Sequence, residues 1–385
     1  MTETFRPEVN GVAMTLGRLV DGLTERGHQV HLIRPSQGRH DRATVKVNFR
    51  EHLAPGFRIP FYTDLHTGLI SRGRLRRLWR EFQPDVLYVA TEGPLGRMAV
   101  RQAAAWNIPV VSGFHTQFAR YSRHYHLGWL EPAVERYLRS FHRATACTLV
   151  PTCDLRRQLE QEGFGRVEVL SRGVDCQQFH PGQRSAELRA AWGLAEKDLA
   201  VLYVGRLAAE KNLQDAVAAF EAIQWEQPTA RFVLVGDGPE RTRLTVEHPE
   251  FIFPGTQTGA DLARHYASAD LFLFPSRTET FGNVVLEAMA SSLPVVAYDY
   301  AAAALQMADG QAGRAVPLDD TAGFERAALA FSRSPLLRAR TGILARKQAC
   351  RMDWASVVTR FETLLQHYGA RNQHARNAAS LAIVR

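Results

Sequence analysis

Two glutamates eight residues apart carry the clearest chemistry in this chain. Glu279 and Glu287 bracket Phe281, Gly282, Asn283 and Val284 in the run Pro275-Ser-Arg-Thr-Glu-Thr-Phe-Gly-Asn-Val-Val-Leu-Glu-Ala-Met-Ala-Ser291. Gly282 and Asn283 stand where a helix would open, and bare N–H groups at a helix start suit a phosphate. An ionised carboxylate only accepts hydrogen bonds, so a glutamate on each side suits sugar and ribose hydroxyls. A second group is Val204-Gly205-Arg206-Leu-Ala-Ala-Glu-Lys211-Asn212. A glycine at a strand end followed by Arg206 and Lys211 puts two cations where a diphosphate would need them, one a planar fork and one a point charge. Only four of the 47 basic residues are lysine, so Lys211 stands out. Val235-Gly-Asp-Gly-Pro239 is a further glycine-rich turn, as well explained by packing as by a ligand. In the first half, Gly11 opens a helix and would let backbone approach a phosphate closely. His115 follows a short apolar strand and is expected to serve a polar role at its carboxyl end. His124 and His126 find no carboxylate to complete a metal set, so no metal and no bound cofactor is expected.

These residues need strands to end at them and helices to begin there. Short apolar runs at 29–34, 86–90, 110–112, 147–151 and 167–170 alternate with helical patterns at 11–26, 75–82, 95–105, 131–144 and 154–162. The rhythm repeats with strands at 201–204, 232–235, 252–253, 271–274 and 295–297, and helices near 212–223, 259–267 and 282–290. Repeated βα units predict parallel sheets covered by helices on both faces. The unpatterned run 171–185, with Pro181-Gly182, is expected as a linker. The division predicted is a first domain over 1–170, a second over 186–350 and an unstructured tail over 369–385; the family resemblance set out below implies that the first is the acceptor side, the second the donor side, and that a helix over 351–368 returns to the first.

At 385 residues, 45% apolar and 22% charged, the chain reads as an ordinary globular protein of two domains. No apolar run reaches the roughly 18–20 residues of a membrane span. The start has no signal-peptide pattern. Cys147, Cys153, Cys176 and Cys350 show no metal spacing and are expected as free thiols of a cytoplasmic protein. The net charge of +8 sits wholly in residues 1–170, which suits an anionic partner. Within it, Arg72, Arg74, Arg76, Arg77 and Arg80 flank Leu75, Leu78 and Trp79. That segment reads as an amphipathic helix packed on its sheet, or alternatively as a peripheral contact with an anionic membrane. No aromatic–basic pattern supports nucleic-acid binding.

Taken together, these motifs resemble the retaining glycosyltransferases of family four, which have the GT-B fold: two doubly wound Rossmann-like α/β domains facing a cleft. The resemblance runs from Thr2 to about Tyr368. Thr91-Glu-Gly-Pro-Leu-Gly96, Phe114-His-Thr-Gln-Phe118 and Thr278–Ser291 are similar to the GDP-mannose-dependent α-mannosyltransferase branch. The resemblance implies that Arg206 and Lys211 hold the donor diphosphate and that Glu287 binds its ribose. It further implies that Glu279, Phe281 and Gly282 orient the transferred hexose, that His115 contacts it, and that Gly11 lies under the phosphates. Transfer would go to a lipid or saccharide acceptor with retention and without metal. The alternatives are a UDP-sugar-dependent glycolipid enzyme and a truncated, catalytically weak nucleotide-sugar-binding protein. The second arises because the family carries a short apolar strand before its counterpart of Thr2–Phe5. Here no such apolar run stands before Thr2, so the first N-terminal strand is expected to be missing and Met1 not to be the natural start.

Overall fold

The computed structural model describes residues 1–8, 10–59, 62–115 and 131–383. They form two compact units. One takes the described residues up to 115, 131 through Ser171, and Ala355 onward; the other spans Arg172–Trp354.

In the first unit, Asn10 caps helix α1 (Gly11–Glu25) by accepting from Ala13 N–H at 2.9 Å. Strands β1 (Val30–Pro35), β2 (Val45–Lys46) and β3 (Phe49–Ala54) form one sheet of order β1-β3-β2, with β1 and β3 parallel, Val30 opposite Phe49. The antiparallel pair β4 (Gly56–Ile59) and β5 (Tyr62–Gly68) follows. Helix α2 (Arg72–Phe82) then leads to β6 (Leu87–Val89), α3 (Pro94–Ala105), β7 (Val110–Gly113), α4 (Glu131–Arg143), β8 (Cys147–Val150), α5 (Cys153–Gln161) and β9 (Val167–Val169). The last four strands make a parallel sheet of order β6-β7-β8-β9. No strand is assigned ahead of α1 among the described residues.

The second unit carries α6 (Ala186–Ala191), β10 (Ala200–Val204), α7 (Leu213–Glu226), β11 (Arg231–Val235), α8 (Arg241–Glu247), β12 (Ile252–Gly255), α9 (Gly259–Ser268), β13 (Leu271–Phe274), α10 (Asn283–Ala290), β14 (Val295–Tyr298), α11 (Ala301–Gln306), β15 (Arg314–Val316), α12 (Thr321–Arg333) and α13 (Pro335–Ala349). Its six strands are all parallel, in order β12-β11-β10-β13-β14-β15. β10, β13 and β14 are buried throughout, which is why they read as unbroken apolar runs. The order reverses direction between β10 and β13, and a doubly wound sheet presents its ligand loops at the carboxyl ends flanking that point. Helix α14 (Trp354–Ile383) runs through residues 369–383, expected as an unstructured tail; five alanines and two arginines among these fifteen residues favour helix there.

One expectation is corrected. Cys176 and Cys350 form a disulfide with Cα atoms 5.9 Å apart, while Cys147 and Cys153 are free. The two partners lie 174 residues apart, so no local spacing announces them. The fold brings them together where Val174 pairs with Asp353.

Candidate functional site

The site in the second unit is built from the loops after β10 and β13. β10 is followed by Gly205, where a Cβ would come within 2.7 Å of the Tyr203 hydroxyl. That hydroxyl donates to the Arg206 carbonyl at 3.0 Å and holds the turn. Lys211 and Asn212 follow, Asn212 with the left-handed φ of 52° that starts α7. The loop after β13 carries Ser276, Arg277, Thr278 and Glu279. Gly282, at φ 87°, is the residue before α10, a conformation that glycine adopts without strain.

The two loops meet at Glu279. Lys211 Nζ donates to Glu279 Oε1 at 2.5 Å, and Ser276 Oγ donates to the same oxygen at 2.7 Å. Thr278 Oγ1 donates to the Glu210 carbonyl at 3.0 Å, so the loops are also tied through backbone. Arg206 reaches the buried Glu210 carboxylate at 3.7 Å and remains about 40% exposed. An exposed guanidinium and a partly buried ammonium on one loop, and the N-terminus of α10 after the other, are groups that can take an anion.

Glu287 lies on α10, half-buried, and accepts from the Tyr266 hydroxyl at 3.0 Å. Burial pushes its carboxyl up to about 7, against which the Tyr266 hydrogen bond works. Burial beside Glu287 raises the Tyr266 phenol well above its ordinary value, so Tyr266 is the donor. Phe281 is buried, while Asn283 and Val284 are half-buried.

The structure therefore brings Gly205, Arg206, Lys211, Glu279, Phe281, Gly282, Asn283, Val284 and Glu287 into one unit. Gly11 and His115 belong to the other. Gly11 is the first residue of α1, and a Cβ there would meet nothing within 4 Å, so packing does not require glycine. His115 follows β7, is buried, and pairs through Nε2 with the Tyr88 hydroxyl at 2.8 Å. Thr116, Gln117, Phe118, His124 and His126 lie outside the described residues.

Sequence reasoning missed several supporting groups. Ser276 sat in the quoted motif without a role. Tyr266 lies on a different helix from Glu287 and gives no local signal. Arg277 bridges Asp215 at 2.6 Å and Asp319 at 2.7 Å and stacks over Tyr298. In the first unit, Glu92 pairs with the buried His142 at 3.2 Å, whose Nδ1 meets Ser112 Oγ at 3.0 Å. This ties the Thr91–Gly96 loop to β7.

Residues 9–178 match the family described as Glycosyltransferase Family 4, and residues 198–333 match Glycosyl transferases group 1. The GDP-mannose-dependent alpha-mannosyltransferase of Mycolicibacterium smegmatis is 33% identical over 374 residues, covering 96% of both chains. The chain belongs to glycosyltransferase family four. Among other family relatives, the alpha-monoglucosyldiacylglycerol synthase of Streptococcus pneumoniae is 28% identical over 77% of this chain and 70% of its own. The fold is GT-B: the sucrose-phosphate synthase of Thermosynechococcus elongatus superposes with a TM-score of 0.80 at 18% identity, covering 94% of each chain. As a family-four glycosyltransferase the chain is a transferase of sugar groups. None of its helices among the described residues is long and apolar enough to cross a membrane.

Proposed function

We propose that this glycosyltransferase moves mannose from GDP-mannose to a lipid acceptor, with retention of configuration at the transferred carbon and without a bound metal. The observation that carries the reading is the Lys211–Glu279 pair at the mouth of α10, found in a chain 33% identical along its length to a mannosyltransferase that uses GDP-mannose. A nucleoside diphosphate is already a good leaving group, so catalysis is chiefly placement and charge stabilisation. Arg206 and Lys211 take the charge that grows on the departing diphosphate. The N–H groups at Gly282 and Asn283 add to it through the helix dipole. Glu287, steadied by Tyr266, accepts from the ribose hydroxyls. Glu279 exchanges Lys211 for the sugar hydroxyls and keeps Ser276 as its support.

A lipid acceptor is favoured by the glucosyldiacylglycerol relative and by the basic first half of the chain. All five arginines of α2 are exposed while Leu75 and Trp79 are buried, so the apolar face serves the core and the charge faces solvent. Peripheral contact with an anionic membrane surface would use that charge. The test is mass-spectrometric detection of a hexosylated lipid in lipid extract supplied separately with GDP-mannose, UDP-glucose and UDP-galactose. Product with GDP-mannose alone supports the reading; product with only a UDP-sugar overturns the donor.

A further inference from the structure

Helix α10 carries Glu287 and ends at Ala290, less than one turn later. Whatever fixes the Ala290 peptide therefore also fixes the backbone under Glu287. The side chain that reaches Ala290 is Arg346 of α13. Its guanidinium donates to the Ala290 carbonyl, to the Phe179 carbonyl at 2.9 Å and to the Cys176 carbonyl at 3.1 Å. No carboxylate pairs with Arg346 among the described residues. Its charge is met by carbonyls alone, one of them at the negative end of a helix. Direct backbone contact brings α13 to this place: a Cβ on Gly342, one turn before Arg346, would come within 2.1 Å of the Ser292 carbonyl.

The same guanidinium holds the segment 176–179, and that segment reaches Glu287 from the opposite side. Phe179 is buried and packs edge-on against the Tyr266 ring, with centroids 5.7 Å apart and planes at 84°. Tyr266 in turn donates to Glu287 at 3.0 Å. Arg346 thus reaches Glu287 by two routes, through Ala290 to the backbone of α10 and through Phe179 to the phenol that steadies the carboxylate. The Cys176–Cys350 bond grips the same segment one residue beyond the end of α13. A rigid guanidinium fork can hold carbonyls from two segments in one geometry, whereas a compact ammonium on a flexible stem cannot. Arg338, four carbons of the same kind on the same helix, is spent elsewhere: it donates to the Phe331 and Ser332 carbonyls of α12 at 2.7 and 2.8 Å.

We propose, on the reading of Glu287 as the ribose-binding carboxylate, that Arg346 is a positioning residue for the donor: it locks α10 and Phe179 together so that Tyr266 and Glu287 are set before the nucleotide arrives. The experiment compares Arg346→Lys with Arg338→Lys, which loosens α13 without touching α10. Two readouts are taken. The first needs no nucleotide: the phenolic carbon resonance of Tyr266 in tyrosine-labelled protein, assigned with Tyr266→Phe, reports the hydrogen bond to Glu287. The second is isothermal titration with GDP and, in parallel, UDP. Arg346→Lys should shift the Tyr266 resonance and weaken nucleotide binding about fivefold, the scale of one impaired hydrogen bond. Placed on Glu287→Ala, it should add almost nothing. Arg338→Lys should lower the melting temperature and leave both readouts unchanged. An unshifted Tyr266 resonance in Arg346→Lys overturns the proposal, as does an equal loss of affinity in the two lysine variants. If Glu287→Ala binds nucleotide normally while Arg346→Lys still shifts Tyr266, the ribose role fails and the positioning of the Tyr266–Glu287 pair stands.

Discussion

Lys211 and Glu279 hold each other at 2.5 Å, each about 14% exposed, and a donor diphosphate would compete for the lysine. Removing either cation should therefore spare the fold and harm the reaction. Lys211→Ala and Arg206→Ala are each expected to lower turnover about 10²–10³-fold, the usual loss for one charge-assisted contact to a developing oxyanion. Steady-state kinetics with a melting curve checks this, and near-normal turnover in both variants would remove the diphosphate role. Glu287 and Glu279 should separate. Glu287→Ala weakens nucleotide binding in isothermal titration, whereas Glu279→Ala lowers turnover with nucleotide affinity little changed. The Glu287 carboxyl, pushed up to about 7 by burial, also sets a pH dependence. Only its ionised form accepts from two ribose hydroxyls, so donor affinity should rise as pH climbs through 7, and Glu287→Gln should flatten that rise. The same shift acts on stability with the opposite sense. The folded state holds this proton more tightly than the unfolded chain does, so its contribution is full below about 4.5 and lost as pH rises through 7.

At the scale of elements, β1 and β3 depend on a buried ion group. Arg34 on β1 is 2% exposed and meets Asp41 at 2.6 Å and Glu51 of β3 at 3.2 Å. The Asp41 carboxyl is held below its ordinary value chiefly by its hydrogen bond to Arg34. Arg34→Ala leaves Glu51 buried without its cation and should cost about 3–5 kcal/mol, read by urea unfolding. Helix α2 makes the opposite use of charge. With Leu75 and Trp79 in the core, its arginines are spare for an outside partner, although Arg74 also donates to the Leu53 carbonyl at 2.8 Å. Arg74/Arg76/Arg77→Glu should weaken co-sedimentation with anionic vesicles, about fivefold for each arginine removed and less at high salt. Sedimentation unchanged from the wild type would leave α2 with a packing role alone.

At the scale of the molecule, the Cys176–Cys350 bond closes the second unit on itself. It joins the segment that enters the unit after Ser171 to the segment that leaves it before Ala355. Closing a loop of this length restricts the unfolded chain strongly, and disulfides of this kind contribute about 2–5 kcal/mol. Cys176→Ser should accordingly lower the melting temperature in non-reducing buffer and make it insensitive to dithiothreitol, while the unaltered protein should lose stability when the reductant is added.

The sequence by itself determined the βα rhythm and the loops after β10 and β13. Buried parallel strands such as Leu271–Phe274 are apolar without interruption, and Gly282 marks a helix start because only glycine takes that backbone angle freely. Glu279, Glu287, Arg206 and Lys211 were legible because each lies in the loop after such a strand or on the helix that the loop opens. Tertiary structure decided what sequence separation hides. Phe49-Arg-Glu-His-Leu-Ala54 looks too polar for a strand until Arg34 crosses from β1 to neutralise Glu51. Tyr266 serves Glu287 from another helix, and Cys176 finds Cys350 across 174 residues. Local pattern records which side chains a segment must bury or expose. Which distant group satisfies a buried carboxylate, hydroxyl or thiol is fixed only when the chain has closed around it.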